Sequence, residues 1–296
     1  MSALFHSYLC GRNAAEWLIN MEKITLWLKS AAGKISIFLM VMSIIILALA
    51  CSSWGNFTEK TASNINNILF GLGTNLLGII VTVSFVQFFL DKQNEKVEYA
   101  YEREKILRFD RVMQILIQHY IMYFNTIITP MSQRGSVSPT EIKQQFSFAD
   151  MKDLYLESLF LRNKGYEPAI TAFYEAELEL RKYCTEFASR VDFKYNQDIL
   201  KALTQFVEVS LSYDVRSAVL GNMTMRCGEK TYIEVIQDYI ADPKYDWVAR
   251  IHSENQGNMM APYVCLFDML NLQKTLIVQY ISHIQALKAE SNATSS

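Results

Sequence analysis

The sequence predicts an all-α membrane protein with an N-terminal two-helix transmembrane hairpin, a long neck helix and a cytoplasmic helical bundle. Three observations carry that expectation. Residues 35–58 and 61–90 are uncharged and separated only by Glu59 and Lys60, and each is long enough to cross a hydrocarbon core of roughly 30 Å as a helix. The second stretch continues past Leu90, without proline or glycine, into the charged run Asp91-Lys-Gln-Asn-Glu-Lys96. Beyond it, apolar residues recur at helical spacing to residue 289. The expected organisation is a cytoplasmic amphipathic segment (1–33), the hairpin (34–90, with spans about 35–54 and 67–90), a cytoplasmic helical domain (91–289) and a disordered tail (290–296).

Composition narrows the function classes. The chain has 296 residues, of which 51% are hydrophobic, and the excess is concentrated in residues 35–90. All five prolines lie in the following tail, where they punctuate helices. A net charge of −2 with no concentrated basic block argues against direct nucleic-acid binding. Arg12, Lys23, Lys29 and Lys34 precede the first span, six Lys or Arg lie within 92–111, and the loop between the spans has only Lys60. The positive-inside rule then places both termini in the cytoplasm. Five cysteines, at 10, 51, 184, 227 and 265, show no CxxC and no histidine at ligand spacing, so neither a disulfide framework nor a metal is expected.

Residues 14–30 carry Trp17, Met21, Ile24 and Leu28 on one helical face, an amphipathic lead into the membrane, and Met21 is an alternative start. The first span is dominated by Ile, Leu and Met and faces lipid over most of its circumference. Leu47-Ala-Leu-Ala-Cys51 resembles a lipoprotein cleavage site, but its Leu and Ala are out of order and a second span follows at once. Ser52 to Asn66 reads as a short polar loop.

The second span has a distinct face. Asn67, Gly71, Thr74, Gly78 and Thr82 recur at spacings of 4, 3, 4 and 4, with Asn75 beside them. Small residues let helices approach closely, and Asn or Thr bonds across the contact where water is absent. The stripe packs against the first span, or it packs between protomers or lines a wet path through an oligomer. A single hairpin has too few helices to enclose water, so the second option requires a homo-oligomer.

The helix should continue through Ile128, with Phe109, Val112, Met113, Leu116, Tyr120, Tyr123, Phe124 and Ile127 as its apolar stripe and Glu104–Arg108 as a surface pair. Thr129-Pro130 ends it. Ser138-Pro-Thr-Glu141 combines an N-cap, a first-turn proline and a capping-box glutamate, which predicts a new helix. A short helix is expected over 150–163, and longer ones over 168–192 and 198–220 with Gly221 closing the latter. Glu177 falls on the apolar register of the 168–192 helix and pairs with a neighbour or acts as a buried acid. Thr231-Tyr-Ile-Glu234 is another capping box. The polar connection after it gathers Asp242, Asp246, Trp247, His252 and Glu254, the nearest approach to a sensing loop. The last helix, 259–289, has two apolar stripes, which implies a central place in the bundle.

No phosphate-binding glycine loop, zinc-spaced set, nucleophile elbow or paired-acid motif occurs, so the reading is non-enzymatic, with no cofactor. The passage Leu72-Gly-Thr-Asn-Leu-Leu-Gly-Ile-Ile-Val-Thr-Val-Ser-Phe-Val-Gln-Phe-Phe-Leu-Asp-Lys-Gln-Asn-Glu-Lys96 resembles the second span and juxtamembrane helix of bacterial two-span inner-membrane antiphage effectors, including those that accompany retrons. The resemblance covers about residues 34–110 in pattern. It implies a membrane-disrupting abortive-infection effector in the bacterial inner membrane, a toxin held silent by its tail. The partners it implies are the lipid bilayer and a reverse transcriptase with its noncoding RNA or another defence-system component. The rival expectation is a non-toxic anchor or scaffold whose helical domain recruits a soluble partner.

Overall fold

The structure, a computed structural model, describes residues 31–52, 58–158, 167–253 and 258–294. It is all-α. Its helices are α1 (Ala31–Ala50), α2 (Glu59–Ile127), α3 (Ala169–Arg190), α4 (Gln197–Ser212), α5 (Arg216–Gly221), α6 (Tyr232–Ala241), α7 (Trp247–Ser253) and α8 (Ala261–Thr294). Among the described residues the only strands are β1 (Arg226–Cys227) and β2 (Lys230–Thr231), an antiparallel pair turned by Gly228 at φ 63°, a value that favours glycine. The amphipathic segment 14–30, Met21, Cys10 and Glu254 lie outside the described residues.

The chain divides into two compact units, Met1–Val97 and Glu98–Ser296. In the first, α2 begins at Glu59, so most of the loop expected at 52–66 is helix. Thr58 explains the early start: its carbonyl accepts the amides of Thr61 and Ala62, both at 2.9 Å, and Glu59 adds an acidic group where the helix dipole favours one. Among the described residues one helix, α2, is long and apolar enough to cross a membrane, and a shorter apolar helix runs Lys34–Ala50. The buried positions on α1 are Ser36, Ser43 and Ala50, one every seven residues, while Ile35, Phe38, Met40, Val41, Ile44 and Ile45 are exposed.

In the second unit the buried face of α2 includes Glu102, Ile106, Asp110, Met113, Ile117, Tyr120, Ile121, Tyr123, Phe124 and Ile127. Of the expected apolar stripe, Met113, Tyr120, Tyr123, Phe124 and Ile127 are buried, Phe109 and Leu116 pack half-buried against the core, and Val112 is exposed. Two acids sit in the core register, and counting only apolar residues hides it. Tyr120 is the aromatic hub, with ring centroids 5.5 Å from Phe173, 5.8 Å from Phe206 and 5.7 Å from Phe124. Around it pack α3, α4 and α8. The last of these buries residues on both expected stripes, from Tyr263 and Leu266 to Met269, Leu276, Tyr280 and Leu287, and it extends to Thr294, beyond 289.

Three expected helices change form. Ser138-Pro-Thr-Glu141 makes its cap, since Ser138 Oγ accepts the Glu141 amide at 3.2 Å, yet no helix follows. Asn125 on α2 intercepts the segment: its Nδ2 donates to the carbonyls of Ser138 and Glu141, and its Oδ1 accepts the Lys143 amide. Carbonyls that would extend a helix are taken by tertiary bonds. The 198–220 helix is broken at 213–215, where Asp214 Oδ1 accepts the Arg216 amide; Gly221 is then helical at φ −61° and does not serve as a left-handed stop. Where a helix was expected over 150–163, a 3-10 helix runs Phe148–Asp153 and residues 154–158 are not helical, while 159–163 lie outside the described residues.

Candidate functional site

The candidate site is the face of α2 in the first unit. Its geometry is set by one close approach to α1. Ser43 Oγ donates to the Gly73 carbonyl at 2.8 Å. A Cβ built on Gly73 would stand 2.7 Å from Leu47 Cγ and 3.5 Å from the Ser43 carbonyl, so only glycine fits without movement. Gly73 was not among the residues singled out by spacing. The signal that could have found it is the seven-residue recurrence of Ser36, Ser43 and Ala50 on α1, a small-residue face that demands a small partner.

The stripe chosen from spacing lies elsewhere. At 3.6 residues per turn, its centre is about 140° round α2 from Gly73. Asn67, Thr74, Asn75, Gly78 and Thr82 are exposed and Gly71 is half-buried. A Cβ added at Gly71 or Gly78 would meet nothing within 4 Å. The two threonines satisfy themselves: Thr74 Oγ1 donates to the carbonyls of Phe70 and Gly71, and Thr82 Oγ1 to that of Gly78. Large apolar side chains flank the stripe, with Ile68, Phe70, Ile79, Val81, Phe85 and Phe89 all exposed.

The polar connection after α6 is built differently. Asp242 Oδ1 accepts the Lys244 amide and Asp246 Oδ1 accepts that of Ala249, so both acids cap local turns. Trp247 is buried, its Nε1 donates to the Tyr239 carbonyl at 2.9 Å, and its ring lies against Tyr239 and Tyr245. His252 Nε2 reaches Asp268 on α8 at 2.8 Å. These four residues use separate partners and do not converge on one point. Among the described residues no group of three His, Cys, Asp or Glu side chains is placed to hold a metal ion.

The second unit buries three acids: Glu177, which the helical register places on an apolar stripe, and Asp110 and Glu102 on α2. Glu177 is buried, with Arg216 Nη2 donating to its Oε2 at 2.9 Å and Arg181 Nε 3.7 Å from its Oε1. Burial pushes its carboxyl above the ordinary range, while the Ser210 hydroxyl and the two guanidiniums pull it back. Ser210 accepts from Gln273 Nε2 at 2.8 Å, and Gln273 Oε1 accepts from Tyr120 at 2.7 Å. A line of polar side chains therefore runs from α2 through α8 to α4. Asp110, also buried, accepts from Tyr280, Gln114 and Lys288. Glu102 accepts the backbone amides of Lys194, Tyr195 and Asn196. Comparison with protein-family models, curated proteins and solved structures gives no match.

Proposed function

We propose that this chain is a membrane-embedded effector of a bacterial antiphage system, which perturbs the inner membrane when its helical domain is triggered. In this reading α1 and the first part of α2 form a two-span hairpin, and both termini are cytoplasmic. Residues 98–294 form a cytoplasmic bundle. The lysine and arginine distribution supports the orientation, and the exposed Ile, Phe and Val side chains of both helices suit lipid.

The observation that carries the proposal is the stripe on α2. It brings Asn67 and Asn75, beside Gly78 and Thr82, to a face turned away from α1, and asparagine side chains are costly against hydrocarbon. Several copies of the chain resolve the cost by turning these faces toward one another or toward water. Action on the membrane then needs no catalytic centre. The partners follow from the resemblance: a reverse transcriptase with noncoding RNA, or another defence component, holds the helical domain at rest. Switching from about 1:99 to 99:1 requires roughly 5.5 kcal/mol of discrimination between the two states, which suits a sizeable partner interface.

The test is a swap of residues 34–90 for an unrelated two-span hairpin. An effector loses its growth-arresting activity in the swap, whereas an anchor that merely recruits a soluble partner retains its function.

A further inference from the structure

We propose that Glu102 is a latch on α2, and that its release from the amino end of α4 is the regulated step of the protein; the proposal rests on the membrane-effector reading above. Glu102 is 5% exposed. Its Oε1 accepts the Asn196 amide and Asn196 Nδ2, each at 2.9 Å, and the Tyr195 amide at 3.2 Å. Its Oε2 accepts the amides of Lys194 at 2.9 Å and Tyr195 at 3.0 Å. Asn196 occupies the N-cap position of α4 but makes no capping bond with its own side chain. Instead its side-chain amide donates to Glu102, whose carboxylate gathers the three backbone amides that lead into α4.

Lys194 directs its ammonium to Glu98 at 2.6 Å, so the charge of Glu102 is met by backbone amides, the Asn196 side-chain amide and the amino end of α4. Lys194 is exposed and Tyr195 and Asn196 are half-buried, so water can take over their amides when the carboxylate withdraws, and the contact can open without unfolding the unit. The supporting contacts around it are exposed and easily exchanged for water: Glu98 with Lys194 and Tyr195, and Tyr99 with Tyr195 and Glu290.

A second grip makes release directional. Asp110 lies two helical turns further along α2, about 12 Å away, and is bound by Tyr280 and Lys288 of α8. With Glu102 free and Asp110 held, α2 can pivot about the second grip while the remaining core of the unit stays packed. A ligand or partner that competes for residues 194–196 opens the first grip without unfolding the second.

The experiment compares the full chain with Glu102→Gln and Asn196→Leu, the latter being a milder change should the former fold poorly. Glu104→Ala, a residue 72% exposed on its side chain, is the control. Amide hydrogen exchange is followed at residues 194–196 in lipid nanodiscs, and membrane potential is followed in cells at graded expression. The latch predicts exchange at least tenfold faster in Glu102→Gln, with depolarisation at a fraction of the expression the unchanged chain requires. Unchanged exchange in both latch variants overturns it, because Glu102 then does not hold the contact. Faster exchange with an unchanged depolarisation threshold also overturns it and leaves the effector reading standing. Absence of depolarisation at every level, in all variants, removes the effector reading and the latch with it.

Discussion

Ser43 on α1 donates its hydroxyl proton to the carbonyl of Gly73 on α2 at 2.8 Å. The bond is possible because Gly73 has no side chain: Leu47 already fills the space a Cβ would need. A polar bond at a glycine contact joins two apolar helices by close approach.

Gly73→Ala should therefore destabilise the α1–α2 contact by about 1–3 kcal/mol, as overpacking does. Gly71→Ala and Gly78→Ala meet open space and should change stability by less than about 1 kcal/mol, in the stabilising direction, because alanine favours helix. Thermal unfolding of the purified chain in detergent, followed by circular dichroism, distinguishes the three.

The same geometry separates assembly from folding. Gly78→Leu and Thr82→Leu should leave insertion and the α1–α2 contact intact yet abolish growth arrest, because they fill the face assigned to other copies. Membrane fractionation with growth curves checks both halves of this expectation. Loss of the protein from the membrane would show instead that the stripe serves the single chain.

How much of this was legible in the sequence differs from element to element. The long α2 was, because its apolar and charged runs follow without an interior proline. The capping box at Thr231–Glu234 was, since its bonds are local: Thr231 Oγ1 accepts the Glu234 amide and the glutamate reaches back to the Thr231 amide. The equally good signal at Ser138–Glu141 failed, because Asn125 is 13 to 18 residues away in the chain and no local rule anticipates its bonds. Glu102 and Asp110 were hidden because an acid in a core register looks like a break in the stripe until its partners are known. Gly73 was passed over because its role depends on a residue of α1, whereas the stripe was chosen from α2 alone. Asp242 and Asp246, in the polar connection where a sensing loop was sought, each accept a backbone amide two or three residues on, the common use of aspartate in loops.

Glu177 sets a pH dependence of definite sign. Its carboxyl is raised above 4.5, mainly by burial, so the folded state holds this proton more tightly than the unfolded state does. Its contribution favours the fold below the ordinary carboxyl range and is lost as pH rises through the raised value. The stability of Glu177→Gln relative to the unchanged chain should increase as pH rises through that window and level off on either side. Urea unfolding of the full chain in detergent across pH 4–8 measures it, and a constant difference would contradict the assignment.

Asp110 should be far more costly to remove than an exposed acid. It is 1% exposed and is bound by Tyr280, Gln114 and Lys288. Asp110→Ala leaves the Tyr280 hydroxyl stranded and Lys288 uncompensated, a loss of about 2–4 kcal/mol. Glu104→Ala, which breaks only an exposed pair with Arg108, should cost less than about 0.5 kcal/mol. Chemical denaturation of the two variants side by side gives the comparison.

The most direct test of the central claim is the membrane potential of bacteria induced to express the full chain without its genetic neighbours, read with a potential-sensitive dye. The account predicts collapse of the potential before growth stops. An intact potential, with the protein confirmed in the inner membrane, would contradict it.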